Sequence, residues 1–282
     1  QNGVFGGRMK ENVERCGATA VMVQDRWGDP VDPQKVEEAF AAHPQANLLA
    51  FVHSETSTGV RSDAQTLCSI AKANDALAVV DTVTTLGGID LRVDEWGADA
   101  VYSGTQKCLS CVPGLSPMTF SASAVERIQN RSTKVQSWFL DMQLVMGYWG
   151  GDSKRAYHHT APVNALYALH EALLILEEEG LEASFARHRD NHRALVSGLE
   201  AMGLEMAVAS EWRLPQLNAV CIPEGIDDAA VRGRLLQDFN LEYGAGPGVL
   251  AGKQWRIGLM GPASNPGHVQ DFLTALKHVL EH

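Results

Sequence analysis

Short apolar runs separated by helix-patterned segments constrain this chain more than any other feature. Five runs in the first half, 18-ATAVMV-23, 47-NLLAFVH-53, 76-ALAVVD-81, 99-DAVYSG-104 and 116-SPMTFS-121, have the length and composition of strands. Between them, 33-PQKVEEAFAAH-43 and 62-SDAQTLCSIAKAND-75 carry apolar residues at helical spacing. Pro33 suits a first helical position, and Ser62 or Asp63 suits an N-cap. Strands alternating with helices build βαβ units, so the pattern predicts an α/β fold around a mostly parallel central sheet. In such sheets ligands bind beyond the carboxyl ends of the strands. The polar residues that terminate these runs are therefore the first candidates for a site.

Residues 160–180 read as one long helix, with Leu166, Leu169, Leu173 and Leu176 on one stripe, and Gly180 breaks it. A second helix over 182–203, strand candidates at 217-LNAVCI-222 and 254-QWRIGLM-260, and a closing helix from about Pro266 complete the chain. The expected division is a large domain over residues 1–179 and a smaller α+β domain over 180–282. A chain of 282 residues, 45% hydrophobic and 20% charged, can bury cores of that size. The net charge of −11, with no basic run, disfavours a nucleic acid or an anionic membrane as partner. No apolar run approaches the roughly 20 residues of a membrane helix. Five irregularly spaced cysteines are no disulfide framework, and with no signal peptide legible the expected compartment is the cytoplasm.

Several polar groups fall at strand ends. Asp81 closes 76-ALAVVD-81, where a carboxylate is a turn former, a helix cap or a functional acid. The run 53-HSETSTG-59 is a polar turn or a cluster of hydrogen-bond donors. Lys107 follows 99-DAVYSG-104, and taken singly it is ordinary surface charge. Taken together, an acid and a lysine at neighbouring strand ends suit a pyridoxal 5'-phosphate site. That cofactor needs a lysine amine for its Schiff base and a carboxylate to keep the pyridine nitrogen protonated. Arg256 lies inside an apolar strand between Trp255 and Ile257, a costly place for a charge without a partner. Its planar fork suits a substrate carboxylate or a structural salt bridge equally well.

The motifs 2-NGVFGGRM-9, 53-HSETSTGV-60, 80-VDTVTTLGG-88, 102-YSGTQKCL-109, 148-YWGGD-152, 157-YHHT-160, 214-LPQLN-218 and 255-WRIGLMG-261 follow one another along the chain. In that order they closely resemble the alanine–glyoxylate and serine–glyoxylate aminotransferases, class V enzymes of pyridoxal-phosphate fold type I. The resemblance implies that Lys107 bonds the cofactor and Asp81 faces its pyridinium. It implies that Phe5 stacks on the ring, Thr56 lies near it and Gln106 sits beside the phosphate. Tyr157 and Thr160 match residues that reach the cofactor phosphate of a neighbouring subunit, which implies a homodimer with shared sites. Arg256 matches the arginine that clamps the substrate carboxylate. The implied reaction moves an amino group from alanine or serine to glyoxylate by ping-pong turnover, with small amino acids and 2-oxo acids as substrates and no metal.

The family pattern also implies a preceding region that carries a glycine-rich phosphate loop and an arm crossing the dimer. No such loop occurs in residues 1–282, so the chain is expected to be a fragment. The alternatives are a cysteine desulfurase-like lyase, whose lysine usually follows a histidine rather than Gln106, and a non-catalytic fold-type I fragment. Cys108 and Cys111 form a C-x-x-C with no second pair at useful spacing, which speaks against zinc. His188 and His192, among Arg187, Arg189 and Asp190, read as a solvated helix face, and His158–His159 as interface packing. The aromatic stretch from Gln129 to Arg155 fits a subunit interface or plain core. The run 244-GAGPG-248 reads as a loop beside Arg256.

Overall fold

The computed structural model describes residues 1–149 and 156–281. It opens with helix α1 (Val4–Arg15) and α2 (Pro33–Ala42). The second helix starts on Pro33 and is capped by Asp32, whose side chain accepts the Gln34 N–H at 2.9 Å. Strand β1 (Leu48–Val52) leads through a short hairpin, β2 (Ser54–Glu55) and β3 (Val60–Arg61), into α3 (Ala64–Ala73). Asp63 caps that helix through the Thr66 N–H. Strand β4 (Leu77–Asp81), α4 (Val93–Trp96), β5 (Ala100–Tyr102) and β6 (Met118–Phe120) follow. Next come α5 (Ala122–Gln129), α6 (Met142–Trp149), α7 (Val163–Glu179) and α8 (Leu181–Ala201). The chain ends with β7 (Leu217–Cys221), α9 (Asp228–Phe239), β8 (Gly244–Ala245), β9 (Gln254–Gly258) and α10 (Pro266–Glu281).

The larger sheet has the order β1-β4-β5-β6, with the first two pairings parallel and β5–β6 antiparallel. Its register aligns Val52 with Asp81 and Asp81 with Tyr102, so three strands end together. Apolar side chains of this sheet (Phe51, Val80, Val101) pack with Leu67, Cys68 and Ile70 of α3 and with Val36 and Phe40 of α2. Burying each such Leu or Phe is worth roughly 1.5–3 kcal/mol. The smaller sheet, β7-β9-β8, is antiparallel. Its Trp255 sits in a second core with Leu195 and Leu199 of α8, Leu235 of α9 and Leu276 of α10.

One sequence expectation changes, and two others gain detail. Residues 18–23 form no ladder; that stretch is tied instead by the Gln1 ammonium donating to Val23 O at 2.6 Å and by Asp25 N–H donating to Gln1 O. The 116–121 strand forms but runs antiparallel, because the chain reverses after Cys111 and Ser103 N–H pairs with Pro117 O. The long helix forms as α7, yet its leucine stripe is not a core stripe within one chain: Leu166 and Leu173 are 44% and 46% exposed.

Candidate active site

Asp81 is the last residue of β4, and its side chain is held at both oxygens. Oδ1 accepts the Val83 N–H and Oδ2 accepts the Tyr102 O–H, each at 2.9 Å. Burial pushes the Asp81 carboxyl above its ordinary value, against the opposing pull of these two bonds and of the Lys107 charge. Lys107 lies in the turn after β5 and is half-buried; its amine has no hydrogen bond or ion pair among the described residues. The turn is fixed by Ser110 N–H to Lys107 O (2.9 Å), Cys111 N–H to Thr105 O (3.0 Å) and Thr105 Oγ1 to Val112 O (2.7 Å). It is tied to the Asp81 turn by Cys108, whose thiol donates to Thr84 O at 3.4 Å. Burial pushes that thiol up to about 12, so it stays protonated. Two glycines allow this close approach: a Cβ on Gly88 would lie 2.6 Å from Cys108 Sγ, and one on Gly261 would lie 2.9 Å from Cys108 O.

The hairpin after β1 brings a second group of polar residues. Glu55 is wholly buried. Its Oε2 accepts the Phe5 and Gly6 N–H groups at 3.0 and 3.2 Å, and its Oε1 accepts Ser57 N–H and Oγ–H at 3.1 and 2.6 Å. A carboxylate is thus set on the N-terminus of α1, where the free N–H groups and the helix dipole favour an anion. Burial still raises the Glu55 pKa above its ordinary value. Phe5, in the first turn of α1, is thereby anchored to the hairpin, with the Arg8 guanidinium 5.1 Å from its ring centre. Thr56 is buried, and its hydroxyl has no partner among the described residues. Its carbonyl accepts Arg256 Nη1–H at 3.2 Å.

Arg256 comes from β9 and so joins the smaller sheet to the β2–β3 hairpin. Its Nε–H donates to Ala245 O at 2.8 Å, and it enters no ion pair among the described residues. Burial lowers its pKa, partly offset by the Glu55 charge. The 244–248 run is therefore partly strand: Gly244 pairs with Arg256 in register, and a Cβ there would come within 3.1 Å of Arg256 Nη2.

The structure thus brings Asp81 and Lys107 together at one group of strand ends, and ties Thr56, Arg256 and, through Glu55, Phe5 around the adjoining hairpin. Gln106 is exposed beside Lys107, with its amide close to Gly104. Tyr157 and Thr160 bond each other, hydroxyl to hydroxyl at 2.5 Å, on an exposed surface. Among the described residues, no hydrogen bond or ring contact joins either to Asp81, Lys107 or Arg256 of the same chain. His158 is buried and stacks on Trp138 at 4.2 Å. Of the 148-YWGGD-152 motif, Gly150 to Asp152 lie outside the described residues. Glu55 and Tyr102 were not legible from residue types: a glutamate inside a hydroxyl-rich turn and a tyrosine ending a strand carry no chemical signature by themselves.

The solvated reading of His188 and His192 is overturned. His188 is fully buried, shares a bond with Ser184 O at 2.7 Å through Nδ1, and accepts the Gly261 N–H at 2.9 Å through Nε2. His192 bonds Asn218 Oδ1 at 2.6 Å. The loop after β9 brings backbone N–H and C=O groups onto this face of α8, and buried backbone groups require partners. Arg187 answers the same need, reaching Gly261 O and Ser264 O while pairing with Glu179.

Strand-end polar groups on a largely parallel sheet, with an arginine delivered from a smaller antiparallel sheet, define the fold-type I architecture of pyridoxal-phosphate-dependent transferases. Residues 9–249 match the family model described as aminotransferase class-V. The chain is 36% identical to the (S)-ureidoglycine–glyoxylate transaminase of Bacillus subtilis, over 99% of this chain and 70% of that protein. It is 38% identical to the alanine–glyoxylate aminotransferase of Callithrix jacchus, covering 100% and 68%. The crystal structure of alanine–glyoxylate aminotransferase from Nostoc sp. superposes with a TM-score of 0.96 at 45% identity, covering 99% and 74%. The chain belongs to the class-V aminotransferase family, and it is a transaminase.

Proposed function

We propose that this transaminase moves an amino group from a small amino acid, alanine or serine, to glyoxylate, with pyridoxal 5'-phosphate as cofactor. One observation carries the reading: the buried acid Asp81 ends β4 within reach of the charge of Lys107, and among the described residues neither the Lys107 amine nor Arg256 has a carboxylate partner. The donor set fits the cofactor that the family implies. Asp81 suits a cationic ring nitrogen, Lys107 Nζ suits the aldehyde carbon, and the free Thr56 hydroxyl suits the ring substituents. Phe5 supplies an aromatic face, and Gln106 supplies an amide for the phosphate. When bound, the cofactor supplies a cationic ring that takes up the electron pair released at the substrate Cα.

The remaining steps belong to side chains of this chain. Arg256 receives the substrate carboxylate: its carbonyl partners fix the guanidinium, and no carboxylate pairs with it among the described residues, although the Glu55 charge acts on it from further off. Lys107 Nζ accepts the Cα proton and returns it. Glyoxylate as acceptor is supported by the relatives, which are named as ureidoglycine–glyoxylate and alanine–glyoxylate transaminases. Gln106, in place of a histidine, weighs against a desulfurase-like lyase, and the intact Lys107–Asp81–Arg256 set weighs against a non-catalytic relic.

We also infer a homodimer in which Tyr157 and Thr160 complete the partner's phosphate site. Their paired hydroxyls and the apolar residues exposed on α7 support it. A division into 1–179 and 180–282 is supported by the two separate cores and by Gly180, whose φ of 84° turns the chain between α7 and α8. Five thiols, all unpaired, support a reducing cytoplasm. The test is to add cofactor, reduce with borohydride and map the labelled peptide, then assay alanine and serine with glyoxylate. The expected label is on Lys107 and the expected kinetics are ping-pong. A label elsewhere, or full turnover by Lys107→Ala, refutes the scheme.

A further inference from the structure

Among the described residues the Asp81 side chain accepts two hydrogen bonds, from Val83 N–H and from the Tyr102 hydroxyl, and the second has no part in the scheme above. Asp81 and Tyr102 are ladder partners at the ends of β4 and β5. The backbone there is laced tightly: Thr82 N–H and Thr82 Oγ1–H both donate to Tyr102 O at 2.9 Å, and Ser103 Oγ–H donates to Thr82 O at 3.1 Å. With both Cα positions fixed, the phenol hydroxyl is carried to Asp81 Oδ2 at 2.9 Å, while Val83 N–H occupies Oδ1 at the same distance. The carboxyl plane is therefore set from two sides by groups that only donate to it.

We propose that Tyr102 is a positioning residue for amino transfer: its O–H fixes the Asp81 carboxylate and keeps the proton shared with the pyridine nitrogen on the nitrogen. The inference rests on Asp81 being the partner of the ring nitrogen. The proton has two resting places, the ring nitrogen with Asp81 charged, or an Asp81 oxygen with both groups neutral. In a dry pocket the neutral pair is favoured, because burial penalises both charges. A donor bonded to the carboxylate stabilises only the charged form and reverses that preference. A ring that keeps its N–H is the better electron sink.

The surrounding charges agree with this role. Burial is the main influence on Asp81 and raises its pKa; Val83, Tyr102 and then Lys107 oppose it. The phenol itself is pushed far above its ordinary value, chiefly by burial and then by the charges of Asp81 and Glu55, so it donates at every working pH. His53, whose backbone N–H donates to Asp81 O, has a ring held neutral down to about pH 3 and adds no charge. Packing alone does not require this hydroxyl, since a phenylalanine would fill the same half-buried position.

Tyr102→Phe tests this in two measurements. In the cofactor-free protein, a carboxyl 13C titration of Asp81, assigned with Asp81→Asn, should show its midpoint rise by about one pH unit, a tenfold change in acid constant. In protein loaded with 15N-labelled cofactor, the ring nitrogen should shift toward unprotonated pyridine. Replacing all five tyrosines with 3-fluorotyrosine, a stronger donor, should move both readouts the opposite way and serves if Tyr102→Phe does not fold. An unchanged Asp81 midpoint overturns the inference, as does a ring nitrogen unmoved in the variant. If the cofactor fails to load in any form, the functional reading falls, while the Asp81 titration still decides the part played by Tyr102.

Discussion

Replacing His53 with asparagine should turn a steep acid sensitivity of the fold into a shallow one. His53 stands where β1 hands over to the β2–β3 hairpin, with its backbone bonded to Asp81 O and Ser62 N–H. Its ring is buried edge-on against Trp96 at 5.3 Å, and Nδ1 meets Thr85 Oγ1 at 3.1 Å, which in turn meets Ser54 Oγ at 2.8 Å. Burial, with a smaller push from the Arg61 charge, lowers the ring's pKa from 6.5 to about 3. The folded state therefore excludes a proton that the unfolded chain accepts. The resulting stabilisation is fully present above pH 6.5 and is lost as pH falls toward 3. At about 1.4 kcal/mol per unit it amounts to roughly 5 kcal/mol, of which roughly 3 kcal/mol is gone by pH 4.

Asparagine places an amide near the Nδ1 position and so keeps a partner for Thr85, but it forfeits the ring contact with Trp96. At pH 7.5 that loss should cost about 1–3 kcal/mol. Near pH 4 the wild type has lost about as much through titration, so the two stabilities should converge or cross. Asp81 and Glu55 act with the opposite sign. Their folded pKa values lie above the ordinary 3.8 and 4.5, so they stabilise the fold at low pH and lose that contribution as pH rises through their folded values. Both are present in each protein and cancel in the comparison. Urea unfolding followed by tryptophan fluorescence, from pH 7.5 to 4, measures the difference directly. Parallel stability curves would show that His53 does not titrate as its burial requires, and the reasoning would fail.

Arg256→Lys should weaken binding of a substrate carboxylate by about 10- to 100-fold, since one charge-assisted bond and the planar fork are lost. Cofactor affinity should change far less, and equal losses in separate titrations would refute the clamp role. Gly3→Ala should destabilise the fold by about 1–3 kcal/mol, because its Cβ would be driven into the Glu55 side chain and within 2.5 Å of Ser57 Oγ. Backbone strain plays no part there, as Gly3 is extended at φ −179°, so an unchanged urea midpoint would mean that Glu55 is not fixed on α1.

How legible the fold was depended on what each element needs from elsewhere. The runs at 47–53, 76–81, 217–222 and 254–260 became strands because each is apolar over a full strand length and finds a ladder neighbour. Residues 18–23 have the same composition but no ladder partner, and composition cannot supply one. Arg256 was legible because it interrupts an apolar strand, where a charge is conspicuous; Asp81 and Lys107 became legible only as a pair at neighbouring strand ends and through the motifs around them. Glu55 and Tyr102 were not, since their importance lies in what they bond: four donors converge on one, and the other reaches across a ladder. His188 failed for the same reason. Its charged neighbours suggested water, and only the tertiary position of Gly261 shows that its ring has a backbone group to satisfy.

The contacts around the site say what kind of precision it has. Arg256 is held by Thr56 O and Ala245 O, the Lys107 turn by Thr84 O through Cys108, and the loop after β9 by His188 and Arg187. In each case a side chain from one element is fixed by backbone of another, and backbone in a ladder or a closed turn moves little. Such contacts keep charged groups at set distances without neutralising them: Arg256 retains its charge for a substrate because carbonyls hold it, and Lys107 retains a free amine because its turn is held instead. A carboxylate in place of either carbonyl would hold the guanidinium as firmly and spend its charge. The use of neutral acceptors around Arg256 is therefore what leaves it available, in contrast to Arg187 and Arg232, which pair with Glu179 and Asp228.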